Sequence, residues 1–242
     1  MSAWLSSLSE ADKQALLDPL LAGIDPRAWR PNPGPQAAVV ASKATETLFG
    51  GAAGGGKSSL LVNLARKYHS ALIVRRTYPQ LEDSVIPECK KWYGDPKAYN
   101  SSKHVWTIRA GHETHRIRLG HMERDDDCYQ YQGAEFDFLG IDELTQLNRL
   151  PYEYLISRLR TTRRGHACRI VATSNPGGTG HAWVRERWAA WLDERHPRPA
   201  QPGELRWYAR DAEGREVEVD AGHPDAMSRT FIPAKLSDNP YL

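Results

Sequence analysis

Eight residues, Gly51-Ala-Ala-Gly-Gly-Gly-Lys57-Ser58, constrain this chain more than any other part of it. They satisfy the pattern G-x-x-x-x-G-K-[ST] and lie between a β-type run, Glu46 to Phe49, and a helical pattern over about 58 to 69. Glycines at 51, 54, 55 and 56 let the backbone curl so that successive N–H groups point inward at phosphate oxygens. The helix that follows adds the partial positive charge of its N-terminus. The pattern therefore assigns Gly51, Gly54, Gly55, Gly56, Lys57, Ser58 and Ser59 to a nucleotide's phosphates, with Lys57 at the β/γ-phosphates and the Ser58 hydroxyl on Mg²⁺. A second apolar run, Ala71-Leu-Ile-Val74, completes a strand-loop-helix-strand unit. Such a unit implies a parallel sheet flanked by helices, an α/β fold of the P-loop class.

The chain has 242 residues, 40% hydrophobic and 26% charged, which suffices for one to two domains with a substantial core. A mean hydropathy of -0.61 and the lack of a long apolar run exclude a membrane-spanning helix, and no membrane partner is expected. The first twenty residues carry acids and no secretory-type apolar core. Cys89, Cys128 and Cys168 are too far apart for a metal knuckle and read as reduced thiols. The net charge of +2 announces no nucleic-acid binder, but nine arginines stand against three acids between Arg158 and Arg198. They form either a phosphate-facing surface or solvated helix faces.

The periodicity predicts one or two helices over residues 3 to 22, then a break at Arg30-Pro-Asn-Pro-Gly-Pro-Gln36. Val105 to Arg109 and His115 to Leu119 read as an antiparallel edge pair turning at Gly111. Phe136 to Ile141 and Cys168 to Ser174 read as buried strands, Pro151 to Arg160 and Trp183 to Trp191 as helices, and 206 to 219 as a hairpin about Asp211-Ala-Glu-Gly214. The three tryptophans of the last helix spread over a broad arc, as expected of core and rim packing.

A phosphate-binding loop needs a carboxylate for the metal and, in hydrolases, a group that orients water. The apolar strand ending in Asp142-Glu143 supplies both, Asp142 for the metal and Glu143 for the water, the alternation of side chains at a strand end aiming them apart. An adjacent pair of acids at such a place also serves as a helix cap. Thr173 and Asn175 follow the next buried strand, where polar residues at the carboxyl end of a parallel strand reach the ligand crevice. They either sense the γ-phosphate or water or simply form a turn before Pro176-Gly-Gly178.

In the order PGPQ, GGAAGGGKSS, IVRRTYPQLEDSV, YQGAEFDFLGIDELTQL, SRLRTT, TSNPGG and FIPAKLSDNPYL, residues 30 to 242 resemble the large terminase subunit of tailed bacteriophages. That protein is the ATPase that drives DNA into a preformed capsid. The resemblance implies an ASCE-type P-loop core with Glu143 as catalytic glutamate, Thr173 to Pro176 as a coupling motif, and Gln36 as the residue that reads adenine. Its cofactors would be ATP and Mg²⁺. Its partners would be double-stranded DNA, bound without regard to sequence, the portal protein of the procapsid, the small terminase subunit and further copies of itself in a ring. It would act in the host cytoplasm.

Relatives continue into a nuclease domain, whereas about fifty residues after the last expected core helix cannot hold one. The expected organisation is a helical segment over 1–29, an ATPase domain over 30–235 and the start of a linker over 236–242, without nuclease activity. Ring motors insert an arginine into the neighbouring site. The position used by some relatives is Gln132 here, which leaves Arg158, Arg124 and Arg160 as candidates, in that order, with Arg75 and Arg76 as further candidates for the nucleotide or the interface. Two other readings stay open: a nucleotide-gated binding module with slow hydrolysis, and a small-molecule kinase, which the water-orienting acid pair disfavours.

Overall fold

Runs such as Leu72-Ile73-Val74 and Ile170-Val171-Ala172 have no polar face, so strands made of them are stable only in a sheet covered on both sides. In the computed structural model, which describes residues 29–238 apart from 52, 53, 55, 111, 164 and 165, all six side chains are buried. They belong to a sheet whose order among the described residues is β3-β4-β5-β2-β6-β7-β1-β10-β8-β9. The strands are β1 (Glu46–Gly51), β2 (Ser70–Arg75), β3 (Tyr99–Asn100), β4 (Val105–Ala110), β5 (Glu113–His121), β6 (Phe138–Ile141), β7 (Arg169–Ser174), β8 (Arg206–Arg210), β9 (Glu216–Val219) and β10 (Met227–Ala234). Strands β5, β2, β6, β7, β1 and β10 run parallel, and antiparallel pairs finish both edges.

The parallel connections carry helices, among them α1 (Pro35–Ala41), α2 (Lys57–Ala65), α3 (Ile86–Tyr93), α4 (Arg149–Ile156), α5 (His181–Arg187) and α6 (Ala189–Leu192). Contacts divide the chain into Met1–Arg30 and Pro31–Leu242, and the whole sheet lies in the second unit. The helices expected over 3 to 22 lie outside the described residues, as do the last four residues of the expected linker.

The interior behind β1, β6 and β7 is built from Leu48, Leu139, Ile141, Ile170, Tyr152 and Trp188. Trp188 is buried, and its backbone (φ -107°, ψ 29°) divides the expected helix into α5 and α6. Trp183 and Trp191 are partly buried against the same core, as packing residues.

Three further expectations change. Helix α4 ends at Ile156, and Leu159 instead forms a parallel bridge with Phe136, so Arg158 and Arg160 flank an extended bridge residue and lie off the helix. The strand pair β4 and β5 is antiparallel as expected, but β5 also pairs in parallel with β2, leaving β3 at the edge. In the arginine-rich stretch, five of the described arginines are engaged with separate partners. Arg160, Arg163, Arg187 and Arg198 pair with Glu135, Glu113, Glu46 and Glu218, acids distant from them in sequence, and Arg169 donates to the Val39 carbonyl.

Candidate active site

Parallel strands deliver their carboxyl ends to one edge of the sheet, and there β1, β6 and β7 bring the three predicted motifs together. Strand β7 lies between the P-loop strand and the acidic strand, so the residues after it stand between Lys57 and the carboxylates. A cavity of about 460 Å³ is lined by Gly54, Gly56, Lys57, Ser58, Ser59, Asp142, Glu143 and Asn175, together with Arg75 and Ser84. Gly55 lies outside the described residues.

Two glycines are required by geometry. Gly51 has φ 140°, and a Cβ there would run into the Ala234 carbonyl on the neighbouring β10. Gly56 caps α2 in the left-handed region (φ 67°, ψ 28°), with the Gln36 side-chain amide where a Cβ would stand. Gln36 is buried. Its Oε1 accepts from the Asn32 N–H at 2.9 Å and its Nε2 donates to the Gly56 carbonyl at 3.1 Å, so it grips the end of the loop. No sequence signal pointed to that contact.

Asp142 is almost fully buried and accepts three bonds: Ser58 Oγ at 3.1 Å and Arg75 Nη1 at 2.9 Å on Oδ2, and Thr173 Oγ1 at 2.7 Å on Oδ1. Arg75 also reaches Ser84. Thr173, expected in the crevice, is wholly buried beneath the acids, where the same hydroxyl accepts the Glu143 N–H at 3.3 Å. It positions Asp142 and Glu143 and does not face the cavity.

Glu143 differs from its expected geometry. Strand β6 ends at Ile141, and Glu143 adopts φ 61° and ψ 57°. The two acids are therefore parted by a left-handed turn, and strand alternation plays no part. A glutamate in that region carries backbone strain of about 1–3 kcal/mol. Asn175 bridges the result: its Oδ1 accepts from Lys57 Nζ at 2.7 Å, and its Nδ2 donates to Glu143 Oε1 at 2.6 Å.

Burial raises the Glu143 pKa and the Asp142 charge adds to this, against the opposing pull of Lys57 and Arg75. Burial lowers that of Lys57, while Glu143 and Asp142 act against the shift. A half-buried carboxylate with a raised pKa beside a desolvated ammonium is what a proton-accepting site for water requires.

The arginine candidates stand elsewhere. Arg158 lies over the Tyr154 ring, Arg160 pairs with Glu135, and Arg124 is exposed at the head of the turn Asp125–Tyr131. Among the described residues none of the three lines the cavity. Arg75 does, through the end of β2. Arg76 donates to the Gln146 carbonyl at 3.5 Å.

At the amino end of β1, away from the phosphate loop, Glu46 is buried between Arg187 (Nε to Oε1, 2.7 Å) and Arg229 (Nε to Oε2, 2.9 Å), with the Tyr152 hydroxyl at 2.5 Å. Burial alone would raise the Glu46 pKa, but Arg229 and Arg187 overcome this and bring it to about 2. The network ties β1 and β10 to α4 and α5 beneath the site.

Residues 49–239 match the family "Terminase large subunit, T4likevirus-type, N-terminal". No curated protein sequence matches the chain. Among solved structures, the large terminase of a thermophilic bacteriophage superposes with a TM-score of 0.55 at 16% identity, over 89% of this chain and 45% of that one. The same phage protein in complex with ADP gives 0.52 at 16% identity, over 82% and 42%. These likenesses establish the shared fold, and the chain spans less than half the length of those relatives. The sequence match covers most of the chain, and it places this chain in the terminase large-subunit family, as a domain of the T4likevirus-type N-terminal class.

Proposed function

We propose that this chain hydrolyses ATP and that, within a larger terminase, it powers the movement of double-stranded DNA into a viral procapsid in the host cytoplasm. The observation that carries the reading is the Lys57–Asn175–Glu143 relay set beside Ser58 and Asp142. Lys57 and the loop N–H groups hold the phosphates. Glu143, made more basic by burial, orients a water and takes its proton. Asn175 binds both groups, so a γ-phosphate entering between them exchanges those bonds and frees the carboxylate.

The donor set at the metal position fits Mg²⁺. The Ser58 hydroxyl and an Asp142 oxygen, both hard donors, lie 3.1 Å apart, and Arg75 supplies the positive charge there in this structure. When bound, Mg²⁺ neutralises charge developing on the β- and γ-phosphates. Gln36 grips the end of the loop that would hold the nucleotide, a placement that suits a residue joining base recognition to loop geometry.

A motor indifferent to sequence takes hold of phosphates and not of base edges. The net charge of +2 and the dispersed arginines favour a ring in which several weak surfaces surround one duplex, with the portal protein and the small terminase subunit as further partners. Arg124, exposed and without an ion pair among the described residues, is free to reach a neighbouring copy.

Phosphate release from ATP, measured with and without duplex DNA for the wild-type chain and for Glu143→Gln, tests the proposal. Turnover lost in the variant with nucleotide binding retained supports it. Equal turnover in the two proteins overturns it.

A further inference from the structure

A second cluster of ligating side chains stands at the amino ends of β2 and β5, whereas the phosphate loop follows the carboxyl end of β1. Strands β2 and β5 pair in parallel with Ser70 opposite Arg116, and the Arg116 N–H donates to the His69 carbonyl at 2.8 Å, so His69 and His115 are lateral neighbours. Their rings lie edge to face with centroids 6.1 Å apart. Glu113, two residues before His115 on β5, shares its face, and one ligating atom from each of the three lies within 4.8 Å of the others.

The hydrogen bonds of His115 decide what this cluster wants. Its Nδ1 is 2.7 Å from the Arg66 carbonyl oxygen. A carbonyl only accepts, so Nδ1 carries a proton and Nε2 is turned toward Glu113, whose Oε2 lies 3.5 Å away. Either a proton on Nε2 or a cation between the two atoms makes this close approach favourable, so the nitrogen and the carboxylate oxygen face one position from two sides. His115 is buried and cannot swing into solvent to escape that contact, while His69 and Glu113 are exposed and can adjust. Arg163 grips Glu113 from the side, donating from both terminal guanidinium nitrogens to its two carboxylate oxygens. A histidine donating its far nitrogen to a backbone carbonyl, beside a carboxylate held by its own donor, is the outer support that metal ligands need.

We propose that His69, His115 and Glu113 bind a transition-metal cation, Zn²⁺ in the first instance, separate from the metal expected at Ser58 and Asp142. Two imidazoles and one carboxylate select zinc over Mg²⁺ or Ca²⁺, which take oxygen donors, and leave a fourth tetrahedral position to water. Bonds of about 2.1 Å place tetrahedral ligands about 3.4 Å apart, so the site closes by about an ångström through rotation of the exposed His69 and Glu113 side chains. The bound ion would clamp the amino end of β2 to β5.

The test is thermal unfolding of the whole chain without nucleotide, over a Zn²⁺ titration, together with Co²⁺ absorption as a report of tetrahedral nitrogen and oxygen ligation. At one hundred times the Kd the melting temperature is expected to rise by about 5 °C or more. The rise should be reversed by a chelator and not reproduced by Mg²⁺. His69→Ala and Glu113→Gln change exposed side chains and leave the buried His115 in place, so both variants should fold and lose the shift. No zinc response in the wild type overturns the proposal. So does a response that persists undiminished in both variants, because the ion would then be bound elsewhere.

Discussion

Asn175 holds Lys57 and Glu143 at the two ends of one carboxamide, accepting from Nζ at 2.7 Å and donating to Oε1 at 2.6 Å. The residue proposed to bind phosphate and the residue proposed to activate water are thereby joined through the loop after β7. Removing the amide in Asn175→Ala leaves both partners in place but without a common tether. Turnover is expected to fall about 10- to 100-fold while affinity for an ATP analogue changes less than about fivefold. Phosphate-release kinetics beside fluorescence titration with the analogue separate the two effects, and equal losses in both would contradict the tether.

The Glu143 carboxyl accepts a proton only when ionised, and its pKa is raised by burial and then by Asp142. The acid limb of the kcat/KM profile is therefore expected above the ordinary carboxylate range. Arg75 opposes the shift, so Arg75→Gln should move that limb to higher pH, in addition to any fall in the plateau. A pH series of initial rates reads the midpoint, and an unmoved midpoint would show that another group is titrating.

Glu46→Gln keeps the shape of the side chain but leaves Arg187 and Arg229 with less compensation in a buried network. A loss of about 3 kcal/mol in unfolding free energy is expected at neutral pH. The wild-type contribution also has a defined sign. A carboxyl with a folded pKa of about 2 against 4.5 supplies stability that is complete above about pH 4.5 and is lost as the pH falls toward 2. Denaturant unfolding between pH 7 and pH 2.5 should thus be flatter for Glu46→Gln than for the wild type over that interval.

A methyl group at position 56 meets two obstacles, the positive φ and the Gln36 amide. Gly56→Ala is expected to weaken nucleotide binding by tenfold or more. Gln36→Ala removes one obstacle but not the other, so the double variant should bind better than the product of the single effects implies. A four-member binding cycle measures the difference.

Much of the site was legible because its motifs are contiguous. The phosphate loop, Asp142-Glu143 and Thr173-Ser-Asn175 each follow an apolar run, and the topology that brings such runs together in parallel follows from the runs themselves. What escaped depends on partners distant in the chain. Arg75 meets Asp142 across 67 residues and Glu46 meets Arg229 across 183, and no local pattern encodes either. The helical segment from Tyr78 to Tyr93 was missed because Pro79 and Pro87 interrupt its pattern, although both occupy first-turn positions where a missing N–H costs little. Strand β10 was also missed, and so was the left-handed Glu143, since backbone preference argues against a glutamate there.

That preference sets chemistry against architecture at one residue. A chain selected only to fold would place glycine or asparagine at 143, where either relaxes the turn. Stabilising substitutions sought without an activity screen should converge on this position, and each gain there would remove the carboxylate proposed to activate water.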